Sequence, residues 1–279
     1  MARIVAAFAA SHAPMQLAAA DSAPGDQAKR FLDALGDAAR RVREADAQAV
    51  VMLSNEHFTN FFLENFPQCC VGLADRHTGP AEPWLPIPRG KVPGHGPLAR
   101  SLTDGLLGDG WMTSFSQRLD LDHGVMTLYH ALAPDAGLPL VPVLQNCAVA
   151  PMLPLPAWYD FGRALARAVE NCDGVDRVAL VAAGGLSHWI GVDRTGDIDE
   201  EFDRWFLDRL ERGALDEVLS LTDAELEQAG NGAHEIRSWL ALAGAVDAPV
   251  TVTAYEPIHA WVTGMAVAEW HPPTPGGHA

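Results

Sequence analysis

Positive charge is scarce in this chain. Nineteen lysines and arginines stand against 36 aspartates and glutamates, a formal net charge of −17 over 279 residues. That balance argues against nucleic acid or an anionic membrane as partner, because both need a basic surface. Long apolar runs are missing as well. No stretch approaches the roughly 20 residues of a membrane span, so a soluble protein is expected. Cysteine is sparse: Cys69, Cys70, Cys147 and Cys172 form no C-x-x-C pair, and two adjacent cysteines make a poor start for a structural disulfide. Free, buried thiols in a reducing cytoplasmic compartment are the expectation.

What the chain does have is apolar mass: 48% of its residues are hydrophobic, including eight tryptophans and ten phenylalanines. It opens on "MARIVAAFAASHAP", which has two opposed readings. One basic residue, a short apolar run and an A-x-A-like end suggest a secretory leader. The same run reads equally as a buried strand that delivers Ser11 and His12 to a site at its end. A run of about 7 residues behind a single arginine is at the lower limit for a leader. The strand is therefore expected, with the mature protein beginning at or beside Met1.

Residues 27–45, "QAKRFLDALGDAARRVREA", carry Phe31, Leu32, Leu35, Ala38 and Val42 near one helical stripe. "AVVMLSNEH" is the continuous apolar run of a strand buried on both faces. Strand, helix and strand suggest a βαβ unit and a parallel sheet. Residues 77–97, "HTGPAEPWLPIPRGKVPGHGP", form a long loop rich in proline and glycine, and such loops are commonly functional. Helices are expected over 95–108, 157–171, 198–212, 215–229 and 233–244, with Thr222 and Glu225 as a capping box. "LPLVPVLQN", "RVALVAAGG" and "PVTVTAY" read as strands. The pattern predicts one α/β domain over 1–270, a largely parallel central sheet flanked by helices, and a frayed tail over 271–279.

Within this pattern His12, His57 and His188 each stand just beyond an apolar run. Ligands in open α/β sheets bind outside the carboxyl ends of the strands, so parallel neighbours would bring these three together. His123 joins them in "LDLDHGV", where Gly124 suits a tight turn. His77, His95, His130, His271 and His278 are expected at the surface. Two histidines and a carboxylate on one face of an ion leave positions open for substrate and oxygen. The carboxylate candidates are Glu56, Asp122 and Glu235. The last lies near the start of "NGAHEIRSWLALAGA", where a helix N-terminus alone also favours an acidic residue.

"SHAP", "SNEHFTNFF", "LDLDHG", "GGLSH" and "GAHEIRSW", in this order, resemble the class III extradiol ring-cleavage dioxygenases. That superfamily includes the protocatechuate 4,5-dioxygenase catalytic subunit and the 2,3-dihydroxyphenylpropionate dioxygenases. The resemblance runs from residue 1 to about residue 269. It implies Fe(II) held by His12, His57 and Glu235, with His123 and His188 as catalytic histidines beside the metal. Glu56 departs from it, because family members often carry aspartate before the ligand histidine, and this bears on how His57 is supported.

The resemblance further implies a small aromatic substrate of catechol, aminophenol or hydroxypyridine type, opened beside its diol by insertion of both atoms of O₂. His188 would take a proton from the substrate hydroxyl and return one as the ring opens, and His123 would steady the charge that develops. Arg76, Arg89 and Lys91 are candidates to meet a substrate carboxylate, or else are solvated loop charges. A homo-oligomer, and a small accessory subunit by analogy, are expected as partners. Two rival readings use the same residues: a zinc-type hydrolase that activates water, and a non-catalytic relative acting as an accessory subunit.

Overall fold

A computed structural model describes residues 1–135 and 137–272. Most of the tail expected to be frayed, residues 273–279, and with it His278, lies outside the described residues. The chain begins with β1 (Arg3–Ala10), a short α1 (Met15–Ala18), the long α2 (Gly25–Glu44) and β2 (Ala49–Asn55). Next come β3 (Cys69–Gly72), a hairpin of β4 (Arg76–Gly79) and β5 (Gly90–Pro93), α3 (Gly96–Gly108) and β6 (Ser114–Ser116). The middle of the chain supplies α4 (His123–Leu132), β7 (Leu140–Gln145), α5 (Leu155–Glu170) and β8 (Arg177–Ala183). The rest forms α6 (Glu200–Glu211), α7 (Leu215–Leu219), α8 (Asp223–Leu226), α9 (Ile236–Ala245), β9 (Val250–Ile258) and β10 (Thr263–Trp270).

The strands form an eight-stranded sheet in the order β6-β3-β7-β2-β8-β1-β10-β9, and β4 and β5 pair separately. Its four central strands, β7, β2, β8 and β1, are mutually parallel. Antiparallel pairs flank them: β3 against β7 on one side, β10 against β1 and β9 on the other. "VAAFAA" lies within β1, enclosed on both edges. The expected βαβ unit forms, but its strands are not neighbours, because β8 inserts between β1 and β2. This insertion sets the carboxyl ends of β2, β8 and β1 side by side.

Each central strand is buried on both faces, and alternate residues serve two separate cores. Ala9, Val51, Leu53, Val143 and Leu180 face α3, α5 and α9. Phe8, Val50, Met52, Leu144 and Val181 face α2 and α4. In α2, Phe31, Leu35, Ala38, Ala39 and Val42 form the buried stripe, and Leu32 lies outside it. Asp26 in the first turn and Arg41 and Arg43 in the last complement the helix dipole.

Two local expectations need correction. The segment 215–229 is not one helix. Thr222 is extended, its hydroxyl accepts from the Glu225 N–H and its own N–H donates to the Glu225 carboxylate, so it ends one helical run and opens the next. His77 is not at the surface: it is 1% exposed on β4, its ring packed over Gly72. Burial lowers its pKa to about 4, and neither ring nitrogen has a partner among the described residues. His95 caps α3 by accepting from the Leu98 N–H, whereas His130 and His271 are exposed as expected.

Candidate active site

Each strand end is anchored before it delivers its histidine. Ser11 Oγ donates to the Gly264 carbonyl and accepts from the Ala266 N–H, locking the end of β1 to β10. His12 follows, 4% exposed. Beyond β2, Glu56 turns away from the centre and accepts from the N–H groups of Thr59, Asn60 and Phe61. That bend, with Phe58 at φ 57°, leaves His57 facing inward. Glu56 is thus a turn-forming residue, and support for His57 comes from elsewhere. Its Nδ1 donates to Asp122 Oδ2 at 3.0 Å. Among the three carboxylate candidates, Asp122 is therefore a partner of a ligand candidate, and Glu235 is the one at the centre.

Glu235 closes a single 3₁₀ turn, Ala233–Glu235, at the entrance to α9. One oxygen lies 3.5 Å from His12 Nε2, the other 3.3 Å from His57 Nε2, and the two imidazole nitrogens are 3.4 Å apart. Donors sharing one ion at roughly 2.0–2.2 Å sit roughly 3 to 3.5 Å from one another, so this set fits a metal. The Gly185 N–H donates to Glu235 Oε2 and fixes the carboxylate. The third strand end supplies His188, whose Nδ1 donates to the Leu186 carbonyl at 2.7 Å while Nε2 lies 3.7 Å from Glu235 Oε1.

His123 arrives on α4 rather than in a loop. Gly124 is therefore no turn residue. It lies in the first helical turn, where a Cβ would stand 2.7 Å from His57 Cε1. The His123 ring lies 4.3 Å from that of His57 and 5.5 Å from that of His12, centre to centre. Nitrogens of His12, His57 and His123 all lie within 4.8 Å of one another, so His123 is a fourth donor at the edge of the set.

Charge within the cluster is strongly coupled. Burial is the largest influence on His12 and, with His57 and His123 nearby, lowers its pKa to about 3 despite Glu235. His12 is thus a neutral imidazole. Burial opposes charge on His57 too, yet Asp122 and Glu235 outweigh it and raise its pKa well above the ordinary value. Glu235 is held well below its ordinary range, burial being overcome by His12, His188 and His57. Asp122 falls to about 2 in the same way. A metal ion supplies the positive charge that these carboxylates otherwise draw from protonated imidazole, and metal and proton compete for the same nitrogens.

Reasoning from sequence missed Glu82, which accepts from His123 Nδ1 at 2.6 Å and from the His123 N–H at 3.0 Å. A lone acidic residue within the proline- and glycine-rich loop was its only signal. It also missed Asp203, which is fully buried and accepts from the N–H and hydroxyl of Ser187, beside His188. The loop cations are engaged elsewhere. Arg89 donates to the Pro80 and Ala81 carbonyls and to Asp120, and Lys91 donates to Thr78. Arg76 is exposed.

An α/β sheet with histidines and a glutamate gathered at the carboxyl ends of adjacent parallel strands defines a metal-dependent enzyme of the open-sheet class. Residues 6–266 match the family described as the catalytic LigB subunit of aromatic ring-opening dioxygenase, and the chain belongs to that family. It is 26% identical to a 2,3-dihydroxyphenylpropionate/2,3-dihydroxicinnamic acid 1,2-dioxygenase of a Rhodococcus species, covering 94% of this chain and 97% of the relative. A Cupriavidus necator protein of the same name is 28% identical, over 83% of this chain and 88% of its own length. The crystal structure of the uncharacterized protein JW3007 of Escherichia coli K12 shares the fold, with a TM-score of 0.63 and 17% identity over 95% of this chain and 99% of that one. The Rhodococcus and Cupriavidus relatives are named as dioxygenases, oxidoreductases that incorporate O₂. No helix among the described residues is long and apolar enough to cross a membrane.

Proposed function

We propose that this chain is an Fe(II)-dependent extradiol dioxygenase that opens a catechol-type ring and leaves both atoms of O₂ in the product. The metal ligands in this reading are His12, His57 and Glu235, and the proton-handling residues are His188 and His123. One observation carries it: three side chains whose donor atoms approach pairwise to 3.3–3.5 Å, through one nitrogen of each histidine and the two oxygens of Glu235, with two further histidines in reach. Dioxygen is a triplet and reacts slowly with singlet aromatics. Fe(II) supplies open coordination positions for both reactants and a route for electrons between them.

The protein's own residues do the rest. The Nδ1–H of His188 donates to the Leu186 carbonyl, so the lone pair of Nε2 is free for the centre and can take a proton from a substrate hydroxyl. Burial opposes charge on this ring, and the neighbouring Glu235 raises its pKa. His123, held by Glu82, presents its other nitrogen to the substrate oxygen. The near-complete burial of His12, His188 and Glu235 keeps bulk water from the reacting atoms.

The names of the relatives favour a catechol bearing a side chain. The engaged state of Arg89 and Lys91 argues against those cations as readers of a side-chain carboxylate. A cytoplasmic, homo-oligomeric protein belongs to the same proposal. Four buried free cysteines support the reducing compartment. Exposed Phe58, Phe62, Leu63 and Trp84 provide apolar surface for a second copy or a small accessory subunit. The test is anaerobic loading with Fe(II), followed by O₂ uptake and product absorbance with catechols, aminophenols and dihydroxypyridines. Uptake with one substrate class, abolished when zinc replaces iron, is expected. No uptake with any of them, together with zinc-dependent hydrolysis, overturns the proposal in favour of a hydrolase.

A further inference from the structure

We infer that Glu82 is the positioning residue of His123, and that the proline- and glycine-rich loop between β4 and β5 serves the site by holding this one carboxylate against that ring. The inference rests on the role proposed for His123 above. One oxygen of Glu82 receives both the Nδ1–H and the backbone N–H of His123, at 2.6 and 3.0 Å. Nδ1 therefore carries a proton, and Nε2 is the nitrogen left for the centre, where the ring lies 4.3 Å from that of His57. An imidazole free to turn would present either nitrogen and either tautomer. The carboxylate removes that choice by fixing one nitrogen as the donor.

The loop is built to keep this contact. Ala81 donates to the Leu121 carbonyl and Leu121 to the Thr78 carbonyl, both at 2.7 Å, so loop and "LDLDH" run as a paired ribbon into His123. Arg89 ties the Pro80 and Ala81 carbonyls to Asp120. Asn60, from the turn after His57, brackets Asp120 by donating to its carbonyl and accepting from its N–H. Leu85 and Ile87 anchor the far side of the loop in the core beside α4. Both halves of Glu82–His123 are mostly buried, so the bond is shielded from competing water. Asp122 and His123 are consecutive, yet each enters a different carboxylate–imidazole pair: Asp122 serves His57, and Glu82 serves His123.

A purely structural reading makes Glu82 no more than a cap on the first N–H of α4. Two substitutions separate the readings. Glu82→Gln keeps a cap acceptor and removes the charge, and Glu82→Ala removes both. In zinc-loaded, ¹⁵N-histidine-labelled protein, His123 is expected as the Nδ1–H form in the parent, with its signals assigned by their loss in His123→Phe. In Glu82→Ala the Nε2–H form is expected to appear. In iron-loaded enzyme, kcat is expected to fall about 10- to 100-fold in Glu82→Ala, with KM and metal content unchanged, and to fall less in Glu82→Gln. An unchanged tautomer in both variants overturns the inference. So does a melting-temperature loss in Glu82→Ala with no change in kcat, which leaves only the cap. If the parent opens no ring with any substrate, the functional proposal fails, and the tautomer measurement still decides the relation of Glu82 to His123.

Discussion

Nδ1 of His57 donates to Asp122 at 3.0 Å across 65 residues of chain. That bond directs the other nitrogen of His57 toward Glu235 and His12. Asp122→Asn keeps the shape and removes the charge that makes His57, a ligand in the proposed function, more basic. Metal affinity is expected to fall about 10- to 100-fold, read by competition with a chromophoric chelator. Unaltered affinity would show that His57 is oriented by packing alone.

The proposed ligand and proton-handling roles predict different metal contents. His12→Ala and Glu235→Ala are expected to retain little iron after anaerobic loading and gel filtration. His188→Phe is expected to keep its iron and lose about 10²- to 10⁴-fold in turnover, the usual worth of a positioned acid–base group. Full iron content in both ligand variants would reject the assignment.

Two glycines provide a sharper contrast. Alanine in a helical turn is ordinarily the more stable by up to about 1 kcal/mol. At Gly124 a Cβ would stand 2.7 Å from His57 Cε1, and at Gly232 it would stand 2.1 Å from His188 Nε2. Gly124→Ala is therefore expected to impair metal retention. Gly232→Ala is expected to leave metal content near the parent value and depress kcat, because the ring it displaces is a proton-handling residue, not a ligand, in the proposed function. Equal metal loss in both would place His188 among the ligands.

Asp203 gives a pH dependence whose sign is unusual for a carboxylate. Burial, with a smaller contribution from Asp199, raises its pKa from 3.8 to about 6, although Ser187 and Tyr255 donate to it. The folded state thus holds a proton that the unfolded chain releases. The stabilisation is complete below about pH 4 and is lost as pH rises through about 6, on the order of 3 kcal/mol. Asp203→Asn is expected to remove this share of the slope between pH 4 and 7 in urea unfolding. A slope identical to the parent's would mean that Asp203 ionises freely in the fold.

Much of the molecule is legible along the chain because the signals are local. Apolar runs mark β1, β2 and β8, the stripe from Phe31 to Val42 marks α2, and Thr222 with Glu225 marks the start of α8. Histidines directly beyond such runs can be noticed without any knowledge of pairing. The small strands β3 to β6 and the pairing of β10 leave weaker traces, since strands of three or four residues hold too few positions for a period to show.

The sequence by itself determined which residues end the buried strands, and so which histidines and which glutamate were available to meet. Tertiary structure alone decided that β8 enters between β1 and β2, which turns three separate strand ends into neighbours. It also decided that Asp122 pairs with His57, that Glu82 reaches His123 from a loop 41 residues away, and that His77 is buried. The physical reason is one of range. Propensity, capping and periodicity act within a turn or two of chain. Partners for buried polar groups are chosen by whichever elements pack beside them, and no pattern within either segment records that choice.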